Sequence, residues 1–507
     1  MSIQPKNGSP VALSILLEGE KVAPYRDAPI AVCGKDASEA LQGGLFVCVA
    51  QDGTSALAAV LEARSKGATV AVVASEYREN IAALGALDEG FQAIFVDDPR
   101  SVYARACQAF RGFPARKMKT IAITGTAGKT SLSYILGGVL AESGSAIGLI
   151  GSLGVYDGMK LSPIKETTPE PEILAELLDK MAEVGCACAI VEVSSVALAE
   201  KRIAGIDFDA VCLTNLRRDH LDVHRTVESY RRVKMQIFNY LKEDGIAICN
   251  LDDRVTDAAL HLIDRPVLTV GIQPTECSVS ATPVERNIDG QTFYIVAGSD
   301  AHPVRTKIIG KEHIYNCLEA AALAVAWDID LTTVARGIER ARYIPGRMER
   351  VDCGQPFGVF LDRANSPESL AAALEAIRKV TSGSVYCVLA APEDGDRSKR
   401  PLIGRAAETL ADFTIATSGN HPRSQTEEAF EDTMRGFEKP DNAKIVKDRK
   451  EAIIWALSHA APDDSVLIVG QDVSTLDKIN EKFVPDRQFV KHWLYENQPC
   501  AEAFWYN

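Results

Sequence analysis

Apolar and polar residues alternate in short blocks along the chain, and the blocks change character at regular intervals. From about Ile30 to Asp98, apolar runs ("GLFVCVA", "ATVAVVA", "QAIFVDD") are separated by helical stretches such as "SALAAVLEARSKGA". The segment "FRGFPARKMK" is a basic linker containing Pro and Gly. Beyond it, "CACAIVEVSS", "AVCLTNL" and "GIAICNLDD" are apolar runs that end in polar residues, and a helix is expected from about Asn316 to Trp327. After "YIPGRMERV" the pattern repeats with "FGVFLD", "SVYCVLAA", "FTIATS", "AKIVKD" and "SVLIVG". Strands separated by helices predict an α/β fold built on mostly parallel sheets, with ligands at the carboxyl ends of the strands. Three units are expected: 1–115, 116–343 and 344–507.

The strongest chemical signal opens the second unit. A strand rich in β-branched residues, Thr120 to Thr124, runs into Gly125-Thr126-Ala127-Gly128-Lys129-Thr130-Ser131, and a helical stripe of Leu132, Ile135 and Val139 follows. Glycines there let backbone N–H groups close on phosphate oxygens, and the helix N-terminus adds partial positive charge. Lys129 would reach the terminal phosphates and the Thr130 hydroxyl would sit on Mg²⁺. The loop is two residues shorter than the common G-x-x-x-x-G-K-[ST] pattern; a tight turn with a surface lysine is the simpler alternative. Glu192, near the end of an apolar strand, is placed to hold Mg²⁺ directly or through water, or to serve as a buried structural carboxylate. Asp219, His220, Asp222 and His224 crowd another strand end, and Lys234 follows in a helix with Arg231 and Arg232. Taken alone, that lysine reads as a solvated surface charge. These residues give a magnesium-nucleotide site beside an imidazole, which allows a kinase, an ATPase or a ligase.

Composition narrows the setting. The 507 residues are 46% hydrophobic and 24% charged, as expected of a globular protein with several cores. A formal charge of −14 argues against general binding to nucleic acid or anionic membrane. The opening "MSIQPKNGSPVALSILLEGE" has no signal-peptide pattern, and no apolar run reaches about 18 residues, so no membrane span is expected. Twelve cysteines are scattered without a C-x-x-C pair, and Cys186 and Cys188 read as core residues. A cytoplasmic, monomeric protein acting on small molecules is the expectation.

The stretches "TGTAGKTS", "TTPE", "VEVSS", "NLRRDHLDVH", "NLDD", "PGRME" and "GDRSKRPL" occur in an order and spacing that resembles the Mur ligases over essentially the full length. The similarity is greatest to the type that adds the third amino acid to UDP-N-acetylmuramoyl-L-alanyl-D-glutamate. It implies a three-domain architecture and an ATP-dependent ligase that activates a carboxylate as an acyl phosphate for attack by an amine. The same resemblance implies that Lys129 stabilises the transferring phosphoryl group and that Thr130 and Glu192 hold one Mg²⁺. His220 would hold a second, and Lys234 would carry a carbamate that supports the metals. Asn316 would lie near adenine, with Arg347 and Asp362 bringing the third domain onto ATP. Thr167, Thr168, Ser194 and Arg202 match positions that hold the UDP-linked acceptor.

Departures from the family pattern fall on the substrates. Asp36-Ala37-Ser38 stands for D-S-R, "DGTSAL" for an aspartate-glycine-histidine sequence, Val196 for the histidine of S-S-H-A-L, and Arg363 and Asn365 for a tyrosine and a histidine. At the amino-acid end, "SGNHPRS" replaces D-N-P-R, leaving Asn420 and Arg423, and Gly470-Gln471-Asp472-Val473-Ser474 replaces G-K-G-H-E. Two carboxylates that would grip a distal ammonium are thereby lost, which speaks against diaminopimelate, while Arg423 remains for a substrate carboxylate. Two alternatives stay open: a paralogue joining a different acid and amine, and a non-catalytic nucleotide-binding paralogue.

Overall fold

The computed structural model describes residues 2–39, 41–82, 90–272, 276–390, 396–418, 423–470 and 485–497. Three large sheets follow one another along the chain. The first is four-stranded and parallel: Cys33–Gly34, Leu45–Val47, Val70–Ala74 and Gln92–Val96. The third orders Glu349–Arg350, Gly358–Asp362, Ser465–Val469, Val385–Ala390, Phe413–Thr417 and Ala443–Ile445, all parallel except the first.

The central sheet has eleven strands. In spatial order they are Leu161–Ser162, Gly154–Tyr156, Ile147–Gly151, Cys188–Glu192, Lys119–Thr124, Phe208–Leu213, Leu241–Asn250, Val267–Gly271, Val279–Asn287, Gly290–Ala297 and Asp300–Thr306. Seven consecutive members, from Ile147–Gly151 to Val279–Asn287, are parallel. Residues 120–124 and 188–192 are buried throughout, as strands covered on both faces must be, and this explains their largely apolar character. The chain leaves Lys119–Thr124 for one side of the sheet, returns through Cys188–Glu192, then continues on the other side with Phe208–Leu213. Ligand sites form where strand order reverses in this way, because the loops part there.

Helices Lys129–Glu142, Lys311–Ala326 and Leu331–Arg340 pack on one face of this sheet through Leu132, Ile135, Leu136, Val139, Leu318 and Val334. Pro171–Val184 covers the other face and stops at Gly185, whose φ of 87° suits a glycine at a helix end. Among the described residues no helix is long and apolar enough to cross a membrane.

One expectation needs correction. The helix placed at about Asn316 begins at Lys311, because Gly310, at φ 114°, turns the chain one and a half turns earlier and the polar residues after it hide the start. The mostly parallel sheet also carries antiparallel edges, Val279–Asn287 with Gly290–Ala297 and Asp300–Thr306 on one side and Gly154–Tyr156 with Leu161–Ser162 on the other.

One buried group sits badly in this core. Glu319 is 0% exposed, and neither carboxyl oxygen finds a hydrogen-bond partner among the described residues. Burial pushes its carboxyl well above the ordinary 4.5, so the neutral acid is the form the fold accepts. A raised acid pKa gives stability that is complete below about pH 4.5 and is lost as pH rises towards the folded value. Glu319→Leu, similar in volume, is therefore expected to raise the thermal midpoint, more at pH 8 than at pH 5, by the equivalent of about 1–3 kcal/mol at the higher pH. Differential scanning calorimetry at the two pH values checks it.

A candidate nucleotide and acceptor site

The phosphate loop is clamped from the neighbouring strand end. Gly125 (φ 143°) lies so close to Thr214 that a Cβ would come within 1.9 Å of its hydroxyl, and Gly128 (φ 92°) would meet Asn316 Oδ1 at 2.7 Å. Neither position tolerates a side chain. Asn215 holds the turn between them: its carbonyl accepts from Thr126 N at 3.0 Å, its Oδ1 accepts from Ala127 N at 3.0 Å, and its Nδ2 donates to Ala127 O at 3.1 Å. Thr214 Oγ1 donates to the same carbonyl at 2.6 Å. Thr126 Oγ1 accepts from Arg217 N at 2.9 Å and shares a 2.9 Å hydrogen bond with the Tyr230 hydroxyl. Ser131 lies half-buried in the first turn of the following helix.

Lys129 opens that helix, and its ammonium donates back to Gly125 O at 2.8 Å and Thr126 O at 3.3 Å. Burial lowers its pKa, against the opposing pull of Glu192 and Asp219. Glu192, the last residue of its strand and 0% exposed, gathers three hydroxyls: Thr130 at 3.0 Å, Ser133 at 3.0 Å and Ser152 at 3.2 Å. From there the hydrogen bonds run outward. Ser152 Oγ lies 2.9 Å from Thr167 Oγ1, and Thr168 Oγ1 donates to Glu192 O at 2.9 Å while accepting from Ser194 N at 2.9 Å. Thr167 thus connects to the Glu192 carboxylate through Ser152, and Thr168 and, through it, Ser194 connect to the backbone carbonyl of that residue. Arg202, 8% exposed, donates to Thr168 O at 2.8 Å.

Lys234 is 1% exposed, which overturns its reading as a surface charge. Helix Val227–Met235 turns it inward, where Nζ lies 3.3 Å from Thr124 Oγ1, at the end of the strand that feeds the loop, and 5.3 Å from the centroid of the Tyr230 ring. Burial drives its pKa well below the lysine range, and the nearby Lys129 charge adds to the effect. His220 lies at the rim with its side chain 39% exposed; its φ of 49° starts a short helix, and its Nε2 is 3.6 Å from Asp219 Oδ2.

The third unit reaches this site. Arg347 Nη2 donates to Thr130 Oγ1 at 3.2 Å. Asp362 accepts from Met348 N at 2.7 Å and so fixes the turn that carries Arg347. Lys399 Nζ lies 3.5 Å from Asp219 Oδ1, and Arg218 donates to Ser398 Oγ at 2.9 Å. Asn316, 5% exposed, packs against Gly128 from the Lys311–Ala326 helix. Asn420, Gly419, His421 and Gln471–Ser474 lie outside the described residues; Arg423 begins the helix Arg423–Met434, and its side chain is likewise outside them.

Sequence reasoning assigned no role to Thr214, Asn215, Tyr230, Ser133 or Ser152. The "TNL" at the end of an apolar strand was the available signal for the first two. Among the described residues no cluster of three or more His, Cys, Asp or Glu side chains forms a ready cage for a cation. The Thr130 hydroxyl and Glu192 carboxylate are hard oxygen donors of the kind Mg²⁺ takes when phosphates and water complete its shell, so the residues fit that ion.

Residues 123–324 match the Mur ligase middle domain, and residues 346–471 match the Mur ligase, glutamate ligase domain. A UDP-N-acetylmuramoyl-L-alanyl-D-glutamate–2,6-diaminopimelate ligase from Geobacillus thermodenitrificans is 33% identical over 456 residues, covering 89% of this chain and 91% of the relative. The Bacillus cereus protein of the same description is 32% identical over 478 residues, covering 93% and 95%. A solved structure of such a ligase superposes with a TM-score of 0.63 at 24% identity, covering 91% of this chain and 93% of the other. A folylpolyglutamate synthase from Mycobacterium tuberculosis, complexed with ADP and AMPPCP, gives 0.61 at 18% identity over 79% of this chain and 96% of its own. With that similarity in sequence and three-domain fold, the chain belongs to the Mur ligase family.

Proposed function

We propose that this chain is an ATP-dependent amide ligase of peptidoglycan precursor synthesis, joining an amino acid to UDP-N-acetylmuramoyl-L-alanyl-D-glutamate. A carboxylate oxygen of the acceptor attacks the γ-phosphorus of ATP, the bond to the bridging oxygen breaks and ADP leaves. The amine then attacks the acyl carbon, loses a proton, and phosphate departs with the bonding electrons. The observation that carries this reading is the hydrogen-bond path from Thr130 through the Glu192 carboxylate to Ser152 and Thr167, with Thr168 on the Glu192 carbonyl, which supports a nucleotide site and an acceptor site on either side of that residue.

In this account residues 1–115 take the uridine end of the acceptor, 116–343 bind ATP and 344–507 bring the amino acid. Gly125, Thr126, Gly128 and Ser131 line the phosphates, and Lys129 stabilises the charge that shifts to the transferring group. Thr130 and Glu192 would hold one Mg²⁺, with His220 and a carbamate on Lys234 holding a second. Bound there, the ions would neutralise phosphate and acyl oxygens during transfer. A depressed lysine pKa supports the carbamate, because only the neutral amine adds CO₂. Thr167, Thr168, Ser194 and Arg202 orient the acceptor, and Asn420 and Arg423 bind the incoming amino acid. Asn316, Arg347 and Asp362 complete the nucleotide site, and the Arg347–Thr130 and Lys399–Asp219 contacts would keep water from the acyl phosphate. The reaction is assigned to the cytoplasm and to a monomer.

The test is ADP release with ATP, Mg²⁺, the UDP-linked muramoyl dipeptide and a panel of amino acids that includes diaminopimelate and lysine. Stimulation by at least one of them is expected; none by any would overturn the proposal. A second reading, the same chemistry on a different acid, draws on Asp36, whose carboxylate is taken up by Ser38 N at 3.0 Å and Ser38 Oγ at 2.7 Å. Turnover with another acid and none with the UDP-dipeptide would favour it.

A further inference from the structure

Arg202 is crowded by more negative charge than it can neutralise. Glu200 Oε2 lies 2.7 Å from both Nε and Nη2, Glu170 Oε1 lies 3.1 Å from Nη2, and Glu166 Oε2 accepts from Nη1. Three carboxylates on one guanidinium, of which Glu170 alone also pairs with Lys35, leave an excess of negative charge at the seat assigned above to an anionic acceptor. A further anion entering beside all three would meet like charge on every side.

The three differ in how firmly they are held. Glu200 closes the helix Ser195–Ala199 and Glu170 starts Pro171–Val184 while also pairing with Lys35 at 3.1 Å. Glu166 lies in the bend just before Thr167 and Thr168, and its side chain is the most exposed of the three, at 52% against 37% and 41%. It can swing into water without disturbing a helix.

We propose that Glu166 is a built-in competitor for the Arg202 anion seat, which an anionic group of the acceptor must displace in order to bind. Glu166 therefore sets acceptor affinity and rejects acids whose anionic groups cannot take its place. This rests on the acceptor proposed above. If Glu166 holds the seat nine-tenths of the time, its removal tightens acceptor binding by about tenfold.

Calorimetric titration of the UDP-linked muramoyl dipeptide, without ATP, into the native protein, Glu166→Gln and Glu172→Gln tests it. Glu172 lies in the same acidic group, 3.5 Å from Lys35, so its change removes one charge without touching Arg202. Tightening of about tenfold in Glu166→Gln and little in Glu172→Gln is expected. Equal affinities, or equal tightening in both variants, would overturn the competitor while leaving the acceptor assignment intact. Binding by none of the three proteins would overturn both.

Discussion

Replacing Lys234 with alanine is expected to lower kcat by about 10³-fold, with ADP affinity kept within a few-fold. The lysine is 1% exposed, its Nζ lies 3.3 Å from the Thr124 hydroxyl, and burial together with the Lys129 charge drives its pKa well below the lysine range. A buried cation in that position would repel Lys129 and any metal ion; a carbamate reverses the sign and offers two oxygens. The substitution leaves space for a short carboxylate, so added acetate or formate is expected to restore part of the activity. Lys234→Arg separates this from a simple packing effect. A guanidinium stays charged and takes no carbamate, so this variant should be as inactive as the alanine variant and gain nothing from acetate. Turnover near the native level in Lys234→Arg would contradict the assignment.

Glu192→Gln is expected to cost about 10²–10³ in kcat and to raise the Mg²⁺ concentration for half-maximal rate by about tenfold or more. The glutamine keeps the volume, and the Ser133, Ser152 and Thr130 hydroxyls can each turn to donate or accept, so the fold should persist. What is lost is the charge opposite the phosphate loop. A magnesium titration of the rate, set beside the thermal midpoint, checks both halves. An unchanged magnesium requirement would remove Glu192 from the metal site.

The architecture was legible because its strands are buried on both faces. The interiors of Cys188–Glu192 and Lys119–Thr124 are apolar because both faces are covered, and the polar residues at their ends mark where the sheet opens. The phosphate loop was legible for a similar local reason, since strand, glycines, lysine and helix are contiguous. What holds that loop was not. Thr214 and Asn215 come from another strand and touch Ala127 only after the sheet has formed. Ser133 and Ser152 were hidden likewise, on a helix and in a turn that meet at Glu192. The residues alone misread Lys234, because a lysine on a helix with Arg231 and Arg232 looks solvated until tertiary packing turns it inward. The edge hairpins were missed because their alternation is weak, with residues 282–285 forming an unbroken exposed run in the first strand.

The central claim is that ATP activates the acceptor's carboxylate before the amine arrives. It is tested most directly by supplying the UDP-linked muramoyl dipeptide with ¹⁸O in its carboxylates, together with ATP and the stimulating amino acid, and analysing the released phosphate by mass spectrometry. An acyl phosphate passes one carboxylate oxygen to phosphorus, so each phosphate should carry one ¹⁸O. Phosphate without label, formed while the amide product accumulates, would contradict the account.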